Sequence, residues 1–149
     1  MKHSFLMVVA FMTMMVCSAS SCDKNDDNSN TENTTPMANG KIKIKVGSQI
    51  FMATLLDNNS AKAFQEMLPL TINMIELNNN EKYYDLPKSL PTNSSNPGTI
   101  KNGDLMLYGS KTLVLFYKTF STSYSYTKLG AVDDATGLAS ALGSGNVTV

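Results

Sequence analysis

Polar and apolar positions alternate strictly along Lys41-Ile42-Lys43-Ile44-Lys45-Val46, which predicts a strand with one wet and one buried face. The three lysines read as a solvated face that discourages edge pairing, with an anion site as the other reading. Gly47-Ser48-Gln49 turns the chain, and Ile50–Leu55 returns as a second strand. Asp57-Asn58-Asn59-Ser60 offers helix caps. Ala61–Leu68 follows as a short helix with Phe64, Met67 and Leu68 on one face, ended by Pro69. Leu70–Leu77 reads as a strand that puts Leu70, Ile72, Met74 and Glu76 on one face. Glu81–Leu86 is another, with Tyr83 and Tyr84 on opposite faces. The proline-rich stretch Pro87–Gly98 is a long irregular loop, and Asn102-Gly103 marks a turn.

The strongest pattern lies in Leu105–Tyr126. Leu105–Tyr108 and Thr112–Tyr117 flank Gly109-Ser110, a pair suited to a two-residue hairpin loop. Leu113–Phe116 is apolar at every position, as expected of a strand covered on both faces. In Lys118–Tyr126, Phe120, Tyr124 and Tyr126 share one parity and Ser121, Ser123 and Ser125 the other. An extended chain there presents an aromatic face and a hydroxyl face. Thr127–Val132 continues as a strand. Asp133-Asp134 reads as the N-cap of a helix over Ala135–Leu142, with a carboxylate pair for metal or acid–base chemistry as the other reading. Gly143-Ser144-Gly145 closes that helix, and Asn146–Val149 begins a last strand; the chain stops abruptly in it, which reads as a native protein slightly longer than this sequence. Seven to nine short strands and two short helices predict a closed antiparallel barrel or a sandwich.

The front of the chain is different. Residues 1–21 have a positive start and an apolar run, Phe5–Val16, too short to span a bilayer. Ser18-Ala19-Ser20-Ser21-Cys22 follows and resembles the lipobox of bacterial lipoproteins, in which the cysteine is acylated. The acidic Asp23–Asp27 behind it resembles the surface-export signal of Bacteroidota lipoproteins. Residues 22–40 thus read as a lipidated Cys22 and a disordered tether, too poor in apolar residues to fold. Residues 41–149 form the one folded domain. The expected location is the bacterial outer membrane, on its periplasmic or cell-surface face.

Composition narrows the chemistry. The only histidine is His3, the two cysteines are Cys17 and Cys22, and all twelve basic residues are lysines. The domain therefore lacks a thiol nucleophile, an imidazole base and a Cys/His metal site. Glu76 and Glu81 flank Asn78-Asn79-Asn80 without the alternating acids and glycine of a hand-type calcium loop. Ten lysines against eight acids in the domain give no basic stripe for nucleic acid. No cofactor motif is present: Gly143-Ser144-Gly145 lacks the helix and lysine of a phosphate loop.

NPGTIKNGDLMLYGSKTLVLFYKTFSTSYSYTKLG, from Asn96 to Gly130, resembles the bacterial cyclophilin-like domain family. The opening IKIKVGSQIFMATLLDN and Glu81–Leu90 resemble it too. The resemblance implies a mainly β fold, a closed eight-stranded cyclophilin-like antiparallel barrel with two short helices. It raises prolyl cis/trans isomerase activity, which in cyclophilins uses an arginine beside an aromatic pocket. This chain has no arginine to inherit that role, and lysine cannot copy the planar fork. The favoured reading is a non-enzymatic, lipid-anchored module for a peptide or small ligand. Its candidate contacts are Tyr83, Met106, Phe116, Tyr117, Phe120, Ser121, Ser123, Tyr124 and Tyr126. A weak prolyl isomerase and an accessory to a flavodoxin-like redox partner are the alternatives.

Overall fold

The computed structural model describes residues 40–149. The signal, Cys22 and tether readings fall outside the described residues, as does all but the last residue of segment 22–40.

The strict alternation at the start becomes a hairpin. β1 (Lys41–Val46) pairs with β2 (Gln49–Leu55) in the register Lys41↔Thr54 to Val46↔Gln49. Gly47 takes φ 59° in the turn, a value that glycine adopts without a Cβ penalty. Ile42, Ile44, Val46, Phe51, Ala53 and Leu55 all turn inward. α1 (Asn59–Gln65) starts where the Asn58 carboxamide accepts the Ala61 N–H at 2.8 Å. That bond satisfies one of the donors that a helix start leaves open. Ala61 and Phe64 face the core.

β3 (Asn73–Leu77) and β4 (Glu81–Asp85) form a second hairpin, whose loop holds Asn78 and Asn79 at φ 55° and 56°. β6 (Asp104–Tyr108) and β7 (Thr112–Phe116) form the third, and β9 (Thr127–Val132) follows. With β10 (Val147–Thr148) they make one antiparallel sheet in the order β1-β2-β9-β6-β7-β4-β3-β10. This eight-stranded sheet is nearly closed into a barrel, with β1 and β10 at its two ends. β5 (Thr99–Ile100) and β8 (Phe120–Ser121) pair separately as a small ribbon. α2 (Leu138–Leu142) buries Leu138 and Leu142.

The sheet has apolar residues on both faces, which explains the unbroken apolar run in β7. Leu105, Leu107, Leu113, Leu115 and Tyr117 belong to the barrel interior, while Met106, Val114 and Phe116 belong to a second cluster on the outer face. The alternation of side chains along a strand divides the run between the two. Ile100 and Phe120 of the ribbon, with Tyr126 and Tyr83, complete the outer cluster.

Several boundaries differ from expectation. The first helix ends at Gln65 rather than Leu68, and strand pairing after it begins near Ile72, whose N–H and C=O exchange bonds with Val149 at 2.9 Å. Lys118–Tyr126 is not one extended run: only Phe120–Ser121 is strand, and the Tyr124 N–H turns back to the Thr122 hydroxyl at 3.1 Å. The Asp133-Asp134 pair does not cap α2, which starts after Gly137 at φ 79° with no side-chain cap. Asp134 instead accepts the Thr136 N–H at 2.9 Å. Asp133 binds Lys41 at 2.8 Å and also accepts from Thr54, which ties β1 and β2 to the end of β9.

Candidate functional site

The outer cluster carries most of the residues that the sequence points to. Phe116 lies at its centre with 0% exposure. The Phe120 ring sits 5.7 Å from it on one side, and the Tyr126 ring 5.5 Å away, edge-on, on the other. Tyr126 leads to Tyr108 at 5.7 Å, and Tyr108 to Tyr124 at 6.3 Å, again edge-on. These separations suit aromatic pairs. The rings thus form a continuous ridge that begins in the core and ends in solvent. Tyr108 is 48% exposed and Tyr124 62% exposed.

Backbone bonds fix the ridge. The long Pro87–Gly98 loop is pinned through Ser95, which exchanges two 3.0 Å bonds with Tyr126. Asn96 donates to the Ser123 carbonyl at 3.2 Å, and the Thr122 N–H to the Gly98 carbonyl at 2.9 Å. Burial raises the Tyr126 phenol above its ordinary value, reinforced by the Glu81 charge. Its hydroxyl therefore remains a neutral donor and acceptor.

Tyr117 departs from the expected aromatic wall. One residue beyond Phe116, it turns into the barrel interior, as alternation requires. Its hydroxyl contacts both Glu76 carboxylate oxygens at 2.9 Å. Glu76 in turn pairs with Lys82, which is 0% exposed. Lys82 also donates to the carbonyls of Gly143 at 2.8 Å and Gly145 at 2.6 Å, and lies over the Tyr117 ring at 5.3 Å. Burial alone pushes the Glu76 carboxyl up; Lys82, Tyr117 and the Asn79 N–H outweigh it and hold the group below its ordinary value. Burial first, then Glu76, pushes the Tyr117 phenol up to about 12. This network clamps the segment after α2 to β3 and β4. It has no place in the sequence reading, although Lys82 and Glu76 both fall at inward parity.

A cleft of about 780 Å³ opens at the seam of the barrel, where residues of β1 and β10 line it together. Its floor includes Ile44, Met74, Leu113 and Leu115. Sequence periodicity marks these as core and gives no sign that the sheet stops short of closure beside them.

The nine candidate contacts therefore divide. Met106, Phe116 and Tyr126 are buried in the outer cluster, with Tyr83 and Phe120 partly buried against it. Tyr124, Ser121 and Ser123 are exposed beside it, and Tyr117 lies elsewhere. Tyr108 joins the ridge without having been a candidate. The available sign was its place at the end of β6, one residue before the turn glycine. Among the described residues, no group of His, Cys, Asp or Glu is arranged to hold a metal ion. No described helix is long and apolar enough to cross a membrane.

Comparison with known proteins gives one match. The model of the cyclophilin-like family matches residues 44–149, nearly the whole barrel. No curated protein and no solved structure matches the chain.

Proposed function

We propose that this chain, which belongs to the cyclophilin-like family, is a lipid-anchored binding module whose aromatic ridge holds a peptide or a small polar-aromatic ligand. The observation that carries the proposal is the pair of exposed rings, Tyr108 and Tyr124, set on a buried aromatic spine. Tyrosine offers a large apolar face and a polar tip at low entropic cost. Rings held in place before binding lose little freedom on contact. Ser121 and Ser123 supply adaptable hydrogen-bonding groups alongside. The inner rings are close-packed, so a partner would lie along the ridge. Acylation of Cys22 would hold the module at the outer membrane, facing the periplasm or the cell surface.

The test uses the processed chain from residue 22, carrying Cys22→Ser, and a proline-containing peptide followed by NMR. The expected result is saturable shifts at Tyr108, Tyr124 and Ser121–Ser123, with prolyl exchange at its uncatalysed rate of tens of seconds or slower. Accelerated exchange would make the chain an isomerase that works without arginine. Shifts absent from the ridge would overturn the binding site.

A further inference from the structure

We infer that the seam of the barrel is a strand-addition site, which takes an extended peptide with aliphatic side chains on one face and an acidic side chain on the other. The two strands that end the sheet carry the inference. The Gly40 carbonyl accepts the Leu55 N–H at 2.7 Å. In an antiparallel pair such bonds recur at every second residue, so along the β1–β2 register they fall at Ile42, Ile44 and Val46. The N–H and C=O of Lys43 therefore point away from β2, in the plane of the sheet. Across the seam, Val149 and Ile72 exchange two bonds at 2.9 Å. The same alternation carries the next exchange to Val147 and Met74 and turns the N–H and C=O of Thr148 away from β3. Lys43 and Thr148 both line the seam cleft, and neither makes a backbone bond on that side among the described residues. A strand edge with unpaired backbone groups is a template for a further strand.

The side chains of an added strand divide as those of β1 do. Ile42 and Ile44 face the interior and Lys43 faces solvent. Alternate side chains of the added strand therefore enter the cleft of about 780 Å³, and the others lie on the outer face beside Lys43. The cleft floor, with Ile44, Met74, Leu113 and Leu115, suits aliphatic chains. The residue paired with Lys43 shares its outer face, where opposite charges attract across a strand pair and like charges repel. Every outward position of β1 is a lysine, so a second copy offering its own β1 would set lysine beside lysine. The alternation thus disfavours self-pairing and favours an acidic strand. Strand addition divides the work in the same way, with affinity from main-chain bonds and specificity from alternate side chains. Neighbours in the eight-stranded order are antiparallel throughout, so β1 and β10 run in opposite directions. A strand antiparallel to β1 lies parallel to β10, which mixed sheets allow.

The site is separate from the aromatic ridge, so either proposal can fail alone. The processed chain carrying Cys22→Ser is titrated with three short capped peptides, followed by NMR. One alternates valine and glutamate, one alternates valine and lysine, and the third is the glutamate peptide with its glutamates N-methylated. The glutamate peptide is expected to give saturable shifts at the Lys43 amide and at the Ile44 and Leu113 methyls. Exchange of the Lys43 amide should slow at least about tenfold at saturation. N-methylation keeps the side chains and removes donors to β1, so affinity should fall about tenfold or more. The lysine peptide should bind about fivefold more weakly than the glutamate peptide, and Lys43→Glu, a surface change, should reverse that order. Equal affinity for the parent and N-methylated peptides would overturn the inference, as would equal affinity for the two charge types. Shifts confined to Tyr108 and Tyr124, or no saturation, would overturn it too. Sedimentation showing a dimer that protects the Lys43 amide without peptide would reassign the edge to a second copy.

Discussion

Lys82 is the residue on which the barrel depends most visibly. A fully buried ammonium is tolerable only when paired and fully hydrogen-bonded, and Glu76 with the Gly143 and Gly145 carbonyls meets that condition. Lys82→Met leaves Glu76 without its cation and both carbonyls without their donor. The expected loss is about 3 kcal/mol in urea unfolding, the scale for breaking a buried pair from one side. The two neighbouring carboxylates respond to pH with opposite sign. Glu76 titrates lower in the fold than its ordinary 4.5, so it contributes stability above pH 4.5 that is lost as pH falls through the lower folded value. Glu81 is raised by burial and by Glu76, so stability is lost as pH climbs from 4.5 through its raised value. Glu76→Gln should therefore flatten the acid limb of a stability–pH profile and lower the plateau. Glu81→Gln should raise stability at pH 7. On the ridge, Tyr124→Ala removes a mostly exposed ring, so peptide affinity should fall about tenfold while stability changes by less than about 0.5 kcal/mol; titration and urea unfolding of the one variant check both.

At the scale of elements, local pattern predicts well where one force decides. The β1–β2 hairpin follows from alternation plus a turn glycine, and the β6–β7 hairpin from two apolar runs about Gly109-Ser110. Boundaries depart from local pattern where tertiary contacts decide instead. Asp133 reads locally as a helix cap, but Lys41 and Thr54 lie many residues away in sequence and claim it first. β9 gives a similar lesson. Its register against β6 slips between Leu105 and Met106, so that Gly130 faces Leu105 while Lys128 faces Met106. An isolated glycine in a strand pattern is a sign of such a bulge or of close backbone approach, and here both occur. A Cβ on Gly130 would run into the Thr54 carbonyl oxygen and come within 2.9 Å of the Leu55 Cα. These are backbone atoms and cannot rotate away. Gly130→Ala should cost about 3 kcal/mol, at the upper end for overpacking. Its thermal midpoint should fall further than that of Gly145→Ala, where a Cβ meets nothing within 4 Å and φ is not positive.

At the scale of the molecule, the family and the barrel were legible because strand count, hairpin turns and the Asn96–Gly130 stretch agree. The seam was not, because closure depends on how far the two ends of the sheet travel, and no local pattern encodes that. The open order has a consequence for how the molecule breathes. β6 and β7 lie in the middle of the sheet, paired on both sides and covered by apolar clusters on both faces. β10 is two residues long, lies at one end of the sheet and pairs with β3 alone. Opening β10 breaks few bonds and leaves the interior cluster largely assembled, whereas opening β7 requires both clusters to separate. Local openings of a native chain range from nearly free to the global unfolding cost, and these two strands should lie near opposite ends of that range. Amides of Leu105–Leu107 and Leu113–Leu115 that bond within the sheet should exchange at least about 100-fold more slowly than those of Val147 and Val149. Native-state hydrogen exchange measures this directly. Equal protection across all eight strands without ligand would mean that the seam opens and closes only with the whole barrel.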